Sequence, residues 1–353
     1  MQKILDTFEH CNVSYEILEI GEGWNIVISQ HGGHVFGPFS QQYPEGVFWI
    51  PEAVKMPKEY QKLIDGKIWN TGGDRVWIGP EIQFNIKDRT RFRETLDTPK
   101  TIDPGIFRME RRGECVTLMQ SLDLPSYNTV TGTVHIEFIR TILKALNPLR
   151  KLPDYDILME SVSYCGFEQV LDLTAESSQQ IYAESWDLLQ IRPTGCLYIP
   201  MYQVVRGTDH YEPAGTHEYL AGCGVALRIT GDSRYKIAYK SAALTGRFGY
   251  LADEKDGESH LIVINYPNNP SAMYSEEPPL AEGDTGYSIH VYNDDGNSGG
   301  FAEMECNLQT IGRPTGLNHS VDRVTKWIYT GKREDLKRIA GALLGYSFEG
   351  GRR

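Results

Sequence analysis

The chain of 353 residues has no run of about 18 apolar residues, so no helix in it is expected to span a membrane. It has no Cys-x-x-Cys pair. Its six cysteines, Cys11, Cys115, Cys165, Cys196, Cys223 and Cys306, stand far apart. That spacing argues against a zinc ribbon or a thioredoxin-type site and reads as free thiols in a reducing compartment. Basic residues are outnumbered: 35 Lys and Arg against 47 Asp and Glu give a net charge of −12. A net acid follows a polyanion poorly, so nucleic acid is not an expected partner. No Gly-x-Gly-x-x-Gly follows a strand pattern, and neither a Walker-type Gly-Lys-Ser/Thr nor a Gly-x-Ser-x-Gly elbow is present. Nucleotide cofactors and the common serine hydrolase architecture are thereby disfavoured, and no cofactor is expected. The first twenty residues mix acidic side chains with apolar ones and contain no apolar core run. They do not read as a secretory signal, and the expected location is the cytoplasm.

What the sequence has in quantity is strand pattern. Segments rich in Val, Ile, Tyr and Phe recur at Asn25–Ser29, Val76–Ile78, Val116–Met119, Leu197–Pro200, Gly224–Ile229 and His260–Asn265. Glycines, prolines, Asp and Asn separate them, and 35 glycines and 20 tyrosines fit a large sandwich or barrel. Helical spacing is confined to Pro57–Asp65 and to Lys332–Gly345, where Leu336, Ile339, Leu343 and Leu344 form a stripe closed by Gly345. With no repeat and no low-complexity linker, residues 1–353 read as one all-β domain with a core over about 15–345 and a few short helices. The Pro-rich stretch Asn265–Leu280 reads as a long surface excursion.

Five segments carry candidate chemistry. In Asn70–Asn85, Arg75 and Glu81 flank the apolar Val76, Trp77 and Ile78. Arg75 at a strand mouth would fork onto hydroxyls or a carboxylate, and Trp77 offers a face on which a sugar ring stacks. The alternative is a core Trp beside a structural Arg–Glu pair. In Ile289–Asn307, strand alternation puts Glu303 and Glu305 on one face, about 7 Å apart, with Ala302, Met304 and Cys306 on the other. Such a pair suits general acid/base work, since each carboxylate raises the other's pKa; on a solvated face it would do nothing. His135 and Glu137 share a face opposite Ile136 and Phe138. His135 is a candidate acid, against plain cross-strand pairing. Lys236 and Lys240 are isolated cations that would hold a base or touch substrate, or else lie on the surface. His31-Gly32-Gly33-His34 reads as a turn or a tightly packed strand, not a metal pair, and no third ligand follows by spacing.

Several of these segments occur in a familiar order: His31-Gly32-Gly33-His34-Val35, then Gly72–Glu81, then Ser185–Gln190 followed by Pro193-Thr194-Gly195, then Glu303-Met304-Glu305. In that order the chain resembles the galactose mutarotase-like superfamily over about residues 15–345. The resemblance implies a β-supersandwich of large antiparallel sheets with a sugar held in a cleft on the concave face of one. It implies a late-strand Glu as base, at Glu303 or Glu305, and a sugar-orienting Arg at Arg75. The superfamily's histidine motifs are absent, so the acid is unassigned among His135, His210, His217 and His290.

The expected partner is therefore a mono- or oligosaccharide. The site expected from these readings has Glu303, Glu305 and His135 as catalytic groups. Arg75, Trp77, Glu81, Lys240 and His290 are the expected binding groups, with no metal. Epimerisation, glycosidic cleavage and β-elimination stay open, as does a module that binds sugar without turning it over. A metal enzyme built on some of the nine histidines is a weaker third reading.

Overall fold

The computed structural model describes residues 1–253 and 258–347. Two ten-stranded antiparallel sheets form the body. The first runs β1 (Tyr15–Gly21), β2 (Trp24–Ser29), β3 (Val35–Phe39), β4 (Asp74–Gly79), β9 (Tyr182–Ile191), β18 (Ala302–Asn307), β17 (Tyr287–Asn293), β14 (Tyr235–Lys240) and β11 (Thr208–Asp209), and β19 (Ile311–Gly312) pairs with β9. The second runs β12 (Glu218–Ala221), β13 (Gly224–Ile229), β10 (Gly195–Pro200), β15 (Arg247–Asp253), β16 (Ser259–Asn265), β20 (His319–Gly331), β8 (Val162–Glu176), β7 (Gly132–Lys144), β6 (Cys115–Ser126) and β5 (Arg108–Arg112). The all-β class expected from the short apolar segments is the class observed, and each of the six named segments falls on a strand.

Burial follows the period-two rule where one face is wet. On β7, Val134, Ile136 and Phe138 are buried while Glu137 is exposed. Strand β18 is different, because every one of its residues is buried. A strand covered on both faces sits in the middle of the molecule, with the second sheet on one side and connecting segments on the other.

Among the described residues six α-helices trim the sheets: α1 (Gln2–His10), α2 (Pro57–Asp65), α3 (Glu81–Phe84), α4 (Phe92–Thr95), α5 (Tyr155–Met159) and α6 (Arg333–Leu344). Helix α2 has the limits its pattern implied. Helix α6 buries Leu336, Ile339, Leu343 and Leu344 and ends on Gly345 in the left-handed region at φ 71°. Helix α1 was not anticipated, although Ile4, Leu5 and Phe8 have helical spacing; they pack against Val27, Phe36 and Tyr60.

A buried ionic network lies between the sheets. Lys326 of β20 reaches both oxygens of Asp187 on β9, at 2.8 and 2.7 Å, and Asp74 of β4 at 3.0 Å. Gln169 of β8 joins Arg140 Nε and Asp187, at 2.6 Å each. These contacts show which side of β4 and β9 faces the second sheet. Arg75, Trp77, Trp186 and Leu188 therefore point the other way.

The stretch Asn265–Leu280 departs from the surface excursion expected of it. Tyr274 through Pro279 are buried. Polar residues and prolines hid this, because the burial is sustained by hydrogen bonds and not by apolar contact: Ser275 donates from N–H and Oγ to Glu184 Oε2 at 3.1 and 3.0 Å.

Candidate functional site

Five adjacent strands, β4, β9, β18, β17 and β14, present polar and aromatic side chains on the face turned from the second sheet. The register sets the rows. Trp77 lies opposite Trp186, and Gln190, Glu303, Tyr292 and Lys236 follow one another across β9, β18, β17 and β14. A half-enclosed cavity of about 200 Å³ opens on this face. Trp69, Trp77, Trp186, Tyr211, Tyr292 and Phe301 supply its aromatic lining, and Glu81, Asp97, Glu303, Lys236 and Arg234 its charges. Two edge-to-face contacts, Trp69 on Trp77 at 5.3 Å and Trp77 on Trp186 at 5.4 Å, make a continuous wall.

Two charge assemblies meet the wall. In one, Arg75 Nη2 donates to Glu303 Oε1 at 2.6 Å, and Gln190 Nε2 donates to the same oxygen at 3.1 Å. The Arg75 guanidinium lies against both Trp69 and Trp77, 4.9 and 4.5 Å from their rings. In the other, Lys236 Nζ donates to Glu81 Oε2 at 2.9 Å and lies 3.4 Å from Glu305 Oε2. Trp186 Nε1 donates to Glu305 at 2.9 Å, and Lys236 sits over the Trp186 ring at 4.5 Å.

Burial makes these charges unequal. Glu305 is wholly buried, and desolvation pushes its carboxyl up to about 8 although Lys236 pulls it down. Burial also raises the Glu276 carboxyl well above the usual range, with Glu81 adding to the rise. Lys236 is pushed further up by the Glu305 and Glu81 carboxylates, which outweigh its desolvation. It stays an ammonium, a donor of hydrogen bonds among acids.

The expected residues divide as follows. Trp77, Glu81 and Glu303 line the cavity; Arg75 stands behind them, holding Glu303, and Glu305 lies beneath, holding Lys236. The shared face expected of Glu303 and Glu305 is present, and it is not a solvated one: they are 7 and 0% exposed. His290 is buried beside His210, with ring centroids 5.1 Å apart, directly across from Glu305 but not on the cavity wall.

Two candidates belong elsewhere. His135 is on β7 of the second sheet, on the wet face, pairing with Asp123 at 2.8 Å and Glu137 at 2.9 Å. It is the ordinary cross-strand pairing and not the acid of this cavity; its alternation with Ile136 fixed its face but not its sheet. Lys240 is half exposed and pairs with Asp284 at the end of β14, while the buried lysine of that strand is Lys236. The strand ends at Lys240, where solvent solvates the ammonium.

Sequence reasoning missed Trp69, Tyr211 and Tyr292 as wall residues. Trp186 was noticed only as part of a motif. Strand alternation did hold a signal for Tyr292, which shares the face of His290. Trp69 and Tyr211 lie outside strands and carried none. Among the described residues no group of three His, Cys, Asp or Glu is placed to hold a metal ion. His31 and His34 flank a turn in which Gly32 and Gly33 take φ of 72° and 63°; His34 is spent on Gly72 O and Asp103, at 2.7 and 3.0 Å.

No family model matches the chain, and no curated protein does. Solved structures do align with it. A galactose mutarotase related enzyme from Lactobacillus acidophilus matches over 90% of this chain and 97% of its own, with a TM-score of 0.45 and 10% identity. The Slr1438 protein from Synechocystis sp. PCC 6803 matches over 90 and 94%, with a TM-score of 0.44 and 11% identity. A GalM/aldose epimerase homologue from C. elegans matches over 91 and 99%, with a TM-score of 0.37 and 8% identity. Mutarotase-related proteins thus stand among the structural neighbours of this two-sheet fold.

Proposed function

We propose that the cavity holds one sugar ring and that Glu303 acts as a base on its anomeric hydroxyl. One observation carries this reading: a continuous tryptophan wall and two oriented charge assemblies converge on a single cavity. A sugar ring has apolar C–H faces that stack on aromatic rings and an equator of hydroxyls that need directed partners. The volume of about 200 Å³ is below the roughly 300–1000 Å³ of drug-sized pockets, which favours one ring over a chain of rings.

The chemistry would be anomer exchange. Glu303 takes the proton of the anomeric hydroxyl as the bond from C1 to the ring oxygen breaks. The ring oxygen accepts a hydrogen bond from the Lys236 ammonium and takes a proton from a water molecule, which is left as hydroxide until the ring recloses. The open-chain aldehyde turns about its C1–C2 bond and recloses, and both protons return. Arg75 and Gln190 would aim the Glu303 carboxylate.

A second reading has its own support. Both Glu303 and Glu81 are already paired with cations, so neither offers a carboxylate without a partner. On that ground the cavity would bind a sugar as a sensor or carrier module without turning it over.

Proton NMR of anomeric signals in freshly dissolved monosaccharides separates the two, with calorimetry for affinity. An epimerase speeds the approach to equilibrium beyond buffer, and Glu303→Gln loses at least about 10²-fold in rate while keeping most affinity. A binding module shows heat of binding and no acceleration. New reducing ends or vinylic protons from oligosaccharides would replace both readings with a hydrolase or a lyase. Neither heat nor acceleration across the panel would remove the sugar reading.

A further inference from the structure

We infer that Glu276 is a positioning residue: it anchors the backbone at Glu81 and so aims the Glu81 carboxylate at Lys236. The role this gives Glu81 rests on the reading of the cavity proposed above; the anchoring itself does not.

Glu276 belongs to the stretch between β16 and β17 and is 3% exposed. Its Oε2 accepts the N–H of Glu81, and its Oε1 accepts the N–H of Ile82 at 3.3 Å. These are the first two N–H groups of α3, which have no partner within a helix. A carboxylate nearly two hundred residues downstream supplies one. The backbone of Glu81 is thus held from one side while its side chain reaches Lys236 at 2.9 Å on the other.

Glu276 is itself anchored to the sheet under the cavity. Its neighbour Ser275 donates to Glu184 on β9, two residues before Trp186. Glu184 also accepts from Asn307 Nδ2 of β18 at 2.6 Å. A chain of contacts therefore runs from β9 through Ser275 and Glu276 to Glu81 and Lys236, both on the cavity wall. The next residue, Glu277, serves a different segment: it accepts from Arg89 Nη2 at 2.6 Å and from Gly283 N–H at 2.6 Å. Both oxygens at 276 are used as acceptors. A glutamine there has one carbonyl oxygen, and its amide N–H₂ would face a backbone N–H, donor against donor.

Amide hydrogen exchange read by NMR tests this without any ligand. In the wild type, the Glu81 and Ile82 amides are expected to be protected, with the Glu81 proton shifted downfield by its carboxylate acceptor. In Glu276→Gln both should exchange at least about 10-fold faster, as for buried donors left without an acceptor. Glu277→Gln should leave them unchanged while loosening Gly283. Unprotected Glu81 and Ile82 amides in the wild type would overturn the inference, even if Glu276→Gln did not fold. So would equal effects of the two substitutions, which would reduce Glu276 to general loop packing. If a sugar is turned over, Glu276→Gln should lower kcat more than it raises KM. If none is, the epimerase reading fails and the amide data still decide the anchoring.

Discussion

Glu303 and Arg75 meet at 2.6 Å across 228 residues of sequence. Arg75 is 1% exposed, and the Glu303 side chain is 9% exposed toward the cavity. The pair is buried on the arginine side and open on the carboxylate side. That asymmetry leaves the Glu303 carboxylate at the cavity wall while Arg75 holds it from behind.

Removing the arginine leaves a mostly buried carboxylate without its cation. Arg75→Met should destabilise the fold by about 3–5 kcal/mol at pH 7, measured by urea unfolding. Adding Glu303→Gln to it should restore part of the loss, because no charge is then stranded. A loss under about 1 kcal/mol would mean that water replaces the guanidinium and that the pair is not a closed one.

Lys326 holds Asp187 and Asp74 between the sheets, and all three side chains are 0% exposed. Lys326→Met should cost about 3–5 kcal/mol. Burial pushes the Asp74 carboxyl up to about 6 despite Lys326. The folded state thus holds that proton more tightly than the unfolded chain does. Its contribution to stability is greatest below the unfolded value and declines as pH rises toward 6. Without Lys326 the Asp74 carboxyl titrates higher still, so the penalty of the substitution should be larger at pH 8 than at pH 5. An equal penalty at both would show that solvent reaches the aspartates.

His210 and His290 predict loss of stability in acid. Burial pulls His210 down to about 3 and His290 well below its ordinary value, with Lys236 adding to both. The unfolded chain takes protons near pH 6.5 that these rings refuse in the fold, so their contribution to stability falls as pH drops below 6.5. At roughly 1.4 kcal/mol per pH unit, His210 alone should take away about 2–3 kcal/mol by pH 4.5. Glu305 works in the opposite sense, since its raised pKa favours the fold as pH falls. The histidine effect is therefore isolated by comparing the wild type with His210→Phe and His290→Met at pH 7 and 4.5. Parallel losses in all three would refute it.

His135 should not matter to the cavity. It lies on the wet face of the second sheet, and its links to Asp123 and Glu137 are exposed. His135→Ala should change stability by less than about 1 kcal/mol and leave sugar affinity and anomer exchange as in the wild type. A tenfold loss in either would place a second functional surface on β7.

The sequence by itself determined the class of fold and the faces of its strands. Period two in β18 put Glu303 and Glu305 on one side and Met304 on the other, whatever the strand packed against. The same rule set Ile136 inward and His135 outward. The spacing of Leu336, Ile339 and Leu343 and the closing Gly345 set α6. These are local consequences of backbone geometry, carried within a few residues.

Only the tertiary structure decided which faces look at the same space. His135 and Glu303 have similar local patterns and lie on different sheets, because strand order is set by long-range pairing. Lys236 and Lys240 are four residues apart on one strand, yet burial among carboxylates singled out the first and solvent at the strand's end the second. Glu276 sits in a polar, Pro-rich stretch that reads as surface; its burial depends on two backbone N–H groups at the start of α3 and on Glu184. Hydrogen bonds of that kind leave no periodic trace in a sequence, because their partners are chosen by where the chain returns and not by what precedes it.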